Sequence, residues 1–250
     1  MPALSIRSLR KSFRFGSRDA AQRREALRGV DLDVERGEIV GIVGDRGCGK
    51  TTLLLCAAGL LRCDSGSIHW YGNQFTGGRR LPDLVYVPAV PTYYPFLTVR
   101  DVLARHARRD SIHFGSARAI EDLSHRLSLT RQLATPVNAL ETSELKRLAI
   151  AQAIVEDSKV IVLDGTLDAL DEGASLVKRA LEDDATRGST LIVASRNAAV
   201  VGGVATRIVV MDEGRITASF AAETGRIEPT RSVAFAEIGP RVRQIAERVH

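Results

Sequence analysis

The stretch EIVGIVGDRGCGKTTLLL, Glu38 to Leu55, decides the fold. After Glu38 the run IVGIVG is apolar or glycine throughout, the pattern of a strand covered on both faces. A Gly-rich turn follows, and TTLLLCAAGLL then reads as a helix. Between strand and helix, Gly44, Asp45, Arg46, Gly47, Cys48, Gly49, Lys50 and Thr51 fit G-x-x-x-x-G-K-[ST], with Thr52 next in line. In such a loop the glycines let backbone N–H groups curl around phosphate oxygens with no side chain in the way. The helix beginning near Lys50 aims its positive end at the same anion. Lys50 has the length to reach β- and γ-phosphates, and the Thr51 hydroxyl suits Mg²⁺. The strand before and the helix after separate this motif from a Gly-rich turn without a ligand.

Downstream, VIVLDGTLDALD (Val160 to Asp171) reads as a buried strand that carries Asp164 at its tip. A lone aspartate at a strand end is often a turn residue. Together with the phosphate loop it becomes a candidate for Mg²⁺, which keeps several waters and needs few protein ligands. A second carboxylate, able to activate water, is expected directly after it, and the next residue is Gly165.

Outward from these two strands the chain divides. SIRSLRKSF and GVDLDVERGEI partly alternate apolar with polar, as half-buried antiparallel strands do. SGSIHWYG reads as a short strand and LVYVPA (Leu84 to Ala89) as a buried one. From about Thr98 to Asp157 the apolar spacing turns helical, in TVRDVLARHARRD, SARAIEDLSHRL and SELKRLAIAQAIVED. Strand and helix then alternate again through VIVLD, ALDEGASLVKRALEDD, STLIVAS, a short helix near Asn197 to Gly202, and RIVVM. That order implies a parallel sheet with helical crossovers, interrupted by helices. MDEGR turns into a last antiparallel strand, RITASF; Glu223 to Pro229 reads as loop, and RVRQIAERVH as a short amphipathic helix.

Composition narrows the class. The 250 residues, 44% hydrophobic and 26% charged, suffice for a large core in one domain, with room for a smaller subdomain. A net charge of +5 decides little, and no basic stripe with interleaved aromatics suggests nucleic acid. Cys48, Cys56 and Cys63, without CxxC spacing, argue against a disulfide framework or a zinc site and for a reducing compartment. The opening MPALSIRSLRKSF lacks the apolar core of a signal peptide, and no run is long enough to span a membrane.

With these motifs in place the chain resembles the nucleotide-binding subunit of ATP-binding cassette (ABC) transporters over roughly Leu4 to Phe220. ALRGVDLDVERGEIVGIVGDRGCGKTTLL is similar to the family's entry into the phosphate loop, and YYPFLTVRDVL to the start of its helical subdomain. LKRLAIAQAIVEDSKVIVLD resembles the helix leading into the Walker B strand, LDALD the D-loop with Asp171 kept, and RIVVMDEGRI the closing hairpin. The resemblance implies an α/β fold: a P-loop NTPase core, its mixed sheet having a parallel centre and antiparallel N-terminal strands, plus an inserted helical subdomain. The core would take residues 1–89 and 157–220, the helical subdomain 90–156 and a tail 221–250. It implies ATP and Mg²⁺ as ligands, with Thr51 and Asp164 on the metal. An aromatic would stack on adenine, Phe13 matching best and Phe15 being the alternative. It also implies an integral membrane partner, placing the chain in the cytoplasm at the inner face of the membrane. Tyr93, Tyr94 and Phe96, in VPTYYPFL, would form one wall of the docking groove, and a second ABC subunit is a further expected partner.

Four departures from the family pattern share a direction. Gly165 stands where a glutamate activates water, and Ala89 where a glutamine bridges metal and water. Arg196 stands where a histidine contacts the γ-phosphate, and Leu140-Glu141-Thr142-Ser143-Glu144 where the signature LSGGQ would be. Each removes a group acting on the γ-phosphate or on the water; none touches those that hold the other phosphates. A positioned base contributes roughly 10²–10⁴ in rate, so impaired hydrolysis is expected. Asp168 would have to swing back to substitute. Arg196 would face the γ-phosphate or pair with a nearby carboxylate. Glu141, with Glu144, would repel a partner's γ-phosphate, by about 4 kcal/mol for unit charges about 4 Å apart at an effective dielectric of about 20, or else both glutamates point to water and Glu141 or Thr142 caps the helix.

Overall fold

A computed structural model describes residues 1–15, 22–75, 81, 83–107, 117–168, 170, 173–221 and 227–228. The strands form two sheets. The first is four-stranded and antiparallel, built from β1 (Leu4–Phe15), β2 (Gln22–Val34), β4 (Ser65–Trp70) and β5 (Asn73–Phe75), in the order β2-β1-β4-β5. The second has seven strands: β3 (Ile39–Val43), β6 (Leu84–Val87), β7 (Val160–Asp164), β8 (Thr190–Ser195), β9 (Arg207–Asp212), β10 (Arg215–Ala221) and β11 (Ile227–Glu228). Its order is β11-β10-β9-β3-β8-β7-β6; β9, β3, β8, β7 and β6 run parallel, β10 pairs antiparallel with β9, and β11 pairs antiparallel with β10.

The apolar runs behave as strands buried on both sides. Val160 and Val162 face the antiparallel sheet and α1 (Lys50–Ala57), whereas Ile161 and Leu163 face the helices. Those helices are α2 (Val99–His106), α3 (Ala117–Arg126) and α4 (Thr142–Val155) from the insertion, then α5 (Ala174–Thr186) and α6 (Ala198–Gly202). The parallel arrangement has one consequence for chemistry. The carboxyl ends of β3, β8, β7 and β6 reach the same edge of the sheet, in the registers Val43↔Ser195, Asp164↔Ala194 and Val87↔Leu163. Ligand sites of open parallel sheets form in the crevice outside that edge.

Some boundaries differ from the sequence expectation. β2 begins at Gln22 and ends at Val34, whereas GVDLDVERGEI placed a strand from Gly29 to Ile39. Residues QRRE carry no alternation, and it is pairing with the long β1 that draws them into the sheet. α1 stops at Ala57 and not at Leu61: the Leu60 N–H returns to the Leu55 carbonyl at 2.9 Å and the Gly59 N–H to the Cys56 carbonyl at 3.0 Å. That is the six-to-one closure that ends helices. The Trp70 indole then satisfies the carbonyl of Ala57 at 2.8 Å. The expected loop from Glu223 to Pro229 contains the two-residue strand β11. The helix expected in RVRQIAERVH lies outside the described residues.

Candidate functional site

A cleft of about 440 Å³ opens at the common edge of the strands. One wall is the phosphate loop, with Arg46, Gly47, Gly49, Lys50, Thr51 and Thr52 facing the cleft. Gly49 is the N-cap of α1 at φ 113°, and a Cβ there would stand 2.5 Å from the Ala26 carbonyl oxygen, so only glycine fits. No acidic residue occupies the first turn of α1, which leaves its positive end to an anion. Lys50 Nζ folds over the loop and donates to the carbonyls of Gly44 at 2.5 Å and Asp45 at 2.9 Å. The Cys48 side chain turns away beneath the loop, where it is buried. Of the expected loop residues, Gly44, Asp45 and Cys48 do not line the cleft, Gly44 and Cys48 being buried and Asp45 exposed.

Phe13, the expected adenine partner, lines the cleft and is 40% exposed. It sits in β1 opposite Arg24 of β2. Lys11 Nζ lies 5.7 Å from its ring centroid. Asp64 fixes this stretch of β1, accepting from the Ser12 N–H at 2.8 Å, the Ser12 hydroxyl at 2.6 Å and Lys11 Nζ at 3.0 Å. The Ser12 hydroxyl above all, with Lys11, holds its carboxyl down at about 2. The side chain of Phe15 lies outside the described residues.

Asp164 ends β7 across the cleft from Thr51 and is buried. Its Oδ2 accepts from the Tyr86 hydroxyl at 2.8 Å. Burial, and next the charge of Asp164, push the Tyr86 phenol well above its usual range, so it stays a donor. Among the described residues no group of three or more His, Cys, Asp or Glu is arranged for a metal. A hydroxyl and one carboxylate are a hard-oxygen donor set, which fits Mg²⁺ carried in by a phosphate ligand. When bound, that ion neutralises charge developing on the phosphate oxygens.

The second wall differs from the expectation in one respect. Ala89 and Gly165 do leave it without glutamine or glutamate, and they close on each other. A Cβ on Gly165 would stand 3.2 Å from Ala89 Cβ, and Gly165 has φ 68°, a conformation L side chains rarely adopt. The chain then turns tightly, with the Asp168 N–H bonded to the Gly165 carbonyl at 3.2 Å. Thr166 Oγ1, fully buried, pins the turn to the Val87 carbonyl at 3.2 Å. The turn brings the Asp168 carboxylate back into the cleft, the swing that the sequence left open. Ser195 Oγ donates to Asp168 Oδ1, and Lys146 Nζ to the Asp168 carbonyl. Arg196, expected at the γ-phosphate or on a carboxylate, lines the cleft with its Nε 3.8 Å from Asp168 Oδ2 and its side chain 65% exposed. Asp171 lies outside the described residues.

At the altered signature, Glu141 is the N-cap of α4. Its N–H donates to Glu144 Oε2 at 3.0 Å, and Gln132 donates to Glu144 Oε1 at 2.7 Å. The Glu144 carboxylate is thus occupied within its own chain, which favours capping over a partner's phosphate. A separate groove of about 820 Å³ runs between β6 and α2, with Pro91, Tyr93 and Leu97 along it. Tyr94 and Phe96 stand at 71% and 73% exposure with ring centroids 5.8 Å apart. Tyr93 differs from the expected exposed trio. It packs inward against the core, and burial raises its phenol above the usual range.

Sequence reasoning missed Arg24, Tyr86, Lys146 and Ser195. Arg24 Nη2 donates to the Gly47 carbonyl at 3.2 Å, bridging β2 to the phosphate loop. Its signal lies in the register with Phe13, which exists only once β1 and β2 are paired.

Fold and cleft define a P-loop nucleotide-binding protein. Residues 27–167 match the family described as ABC transporter, and the chain belongs to it. It is 29% identical over 216 residues to an aliphatic sulfonates import ATP-binding protein of Rhizobium johnstonii, covering 86% of this chain and 75% of that one. It is 32% identical over 203 residues to a methionine import ATP-binding protein of Rhizobium etli, covering 76% of this chain and 55% of that one. Against the latter it therefore spans about half of the relative's length. Among solved structures, an ATP-binding cassette of an ABC transporter in its ADP conformation superposes with a TM-score of 0.73 at 20% identity, covering 98% of both chains. This likeness shows the fold. Among the described residues no helix is long and apolar enough to cross a membrane.

Proposed function

We propose that this chain is the ATP-binding subunit of an ABC-type membrane complex, in which ATP occupancy outweighs turnover. The observation that carries the reading is the contrast inside one cleft: a complete phosphate loop with Lys50, Thr51 and Asp164 faces a wall where Ala89 and Gly165 offer no side chain to a water. Phe13 is assigned to adenine, residues Gly44 to Thr52 to the phosphates, and Thr51 with Asp164 to Mg²⁺. Turnover typical of enzymes, about 10 s⁻¹, less the roughly 10²–10⁴ of a positioned base, leaves about 10⁻³–10⁻¹ s⁻¹. ATP then acts as a switch by favouring one of two conformations.

The relatives' import names support a place beside a membrane-spanning partner. Residues 90–156 form the docking subdomain in this reading, with Tyr94 and Phe96 as anchors at the mouth of the groove and Tyr93 as its floor. Equilibrium ATP-Mg binding, measured beside Lys50→Ala with ADP release followed in the same samples, tests the proposal. Lys50-dependent binding with turnover in the stated range is expected. Turnover above about 1 s⁻¹ overturns the impaired reading. Failure of the wild-type chain to bind ATP leaves a bare scaffold.

A further inference from the structure

We propose that Asp168 is a catalytic residue, the carboxylate that serves the residual hydrolysis in place of the one missing at Gly165. The inference rests on the ATP-binding reading above. Position is the first argument. The turn from Gly165 to Asp168 puts Asp168 Oδ2 3.7 Å from where a Cβ on Gly165 would stand. That is about the reach from a glutamate's own Cβ to its carboxylate oxygens. A carboxylate borrowed from the residue three positions on therefore lies within the reach the expected glutamate would have. It lines the same cleft as Lys50, Thr51 and Asp164.

Orientation is the second argument. Oδ1 is engaged by the hydroxyl of Ser195, a residue 1% exposed whose Oγ also accepts from the Asn197 N–H at 2.9 Å. The peptide carbonyl of Asp168 is held by Lys146, itself buried on α4. Backbone and one carboxylate oxygen are thus fixed from two sides. The other oxygen, Oδ2, has Arg196 Nε at 3.8 Å, beyond hydrogen-bond length, and among the described residues accepts no hydrogen bond. It is the oxygen available to a water in the cleft. A positioned carboxylate with one oxygen held and one open is the arrangement general-base catalysis requires.

The step balances without further reagents. The water oxygen forms a bond to the γ-phosphorus, and a water proton passes to Asp168 Oδ2. The bond from that phosphorus to the β–γ bridging oxygen breaks, its electron pair staying on ADP. Inorganic phosphate leaves, and Asp168 returns its proton to solvent. Ser195 acts through Asp168 and is a positioning residue. Arg196, largely exposed, is free to swing from Asp168 toward the charge on the terminal phosphate.

The test uses the full chain with ATP and Mg²⁺, reading phosphate release in single turnover, equilibrium affinity for ATP and for ADP, and melting temperature. Lys50→Ala sets the blank. For Asp168→Asn, release is expected to fall at least about 10-fold, with both affinities within about twofold of wild type and the melting temperature kept. Ser195→Ala, which leaves the carboxylate in place but unoriented, is expected to lose about 3- to 10-fold in release at unchanged affinity. Wild-type release in Asp168→Asn overturns the proposal, as does wild-type release in Ser195→Ala if Asp168→Asn fails to fold. Parallel loss of affinity and melting temperature in Asp168→Asn assigns the residue a structural latch and also overturns it. A wild-type chain that binds ATP yet releases no more phosphate than Lys50→Ala overturns this proposal and leaves the binding reading standing. A wild-type chain that binds no nucleotide overturns the reading itself.

Discussion

At the phosphate-loop wall of the cleft stand Arg46, Gly47, Gly49, Lys50, Thr51 and Thr52, a wall that in the proposed reading meets a nucleotide mostly through main-chain N–H groups. At the facing wall, Ala89, Gly165, Asp168, Ser195 and Arg196 stand where function depends on side chains. The first wall tolerates unusual neighbours such as Asp45, Arg46 and Cys48, because every residue except proline supplies an N–H and the glycines hold the path. The second wall has no such insurance. Gly165 and Ala89 bring no polar side chain to it, and a Cβ returned at Gly165 would meet Ala89 Cβ at 3.2 Å with φ at 68°, which L side chains rarely adopt. In the proposed reading, binding and chemistry are made of different parts of the chain.

Lys50→Ala should give the largest effect, weakening ATP on the order of 100-fold through loss of a charge-assisted phosphate contact, as read by titration calorimetry. Retained affinity would break the comparison, since the first wall would then not be the binding wall. Restoring the expected glutamate with Gly165→Glu should raise phosphate release by no more than about twofold. At φ 68° and against Ala89 it should cost about 1–3 kcal/mol, read as a lowered midpoint in urea. A rise in release of about 100-fold would show that the second wall had lost a side chain and nothing more.

The end of β6 joins the second wall to the groove, Pro88 lining the groove and Ala89 the cleft. Tyr94→Ala with Phe96→Ala should cut capture of a membrane-spanning partner about 10-fold while leaving ATP affinity within about twofold. An equal loss of ATP affinity would join what the comparison separates. Asp64→Asn should have the smallest effect, a loss of about two- to threefold in ATP affinity at neutral pH from a loosened Phe13 platform. The Asp64 carboxyl is held down, so its contacts stabilise β1 above the usual carboxylate range and are lost as pH falls through about 2. Affinity in the wild type should therefore show no Asp64-dependent change between about pH 5 and 8. A step inside that window would assign the platform to another group.

The long apolar runs were legible because a strand buried on both faces has few alternatives once glycine turns bound it. The phosphate loop was legible because its spacing and its chemistry are the same statement. The charged start of β2 was not, since Gln22 to Glu25 become strand through pairing with β1 and not through their own pattern. Glu144 read as a charge facing outward, whereas a helix start that needs a partner for the Glu141 N–H turns it inward. Tyr93, Tyr94 and Phe96 read alike, and only packing separates the inward ring from the two exposed ones.

By itself the sequence determined the order of the longer strands and helices, the phosphate-loop motif from Gly44 to Thr52, the aspartate at the tip of β7 and the absence of a glutamate after it. These are local properties, written in spacing and residue type. Tertiary structure alone decided that Asp168 returns to the cleft with Ser195, Lys146 and Arg196 around it. Those four residues come from α4, the turn after β7, and the end of β8, and they meet because parallel strands bring their carboxyl ends to one edge. No periodicity encodes a meeting of that kind, since it is set by the closing of a sheet and the direction of a turn.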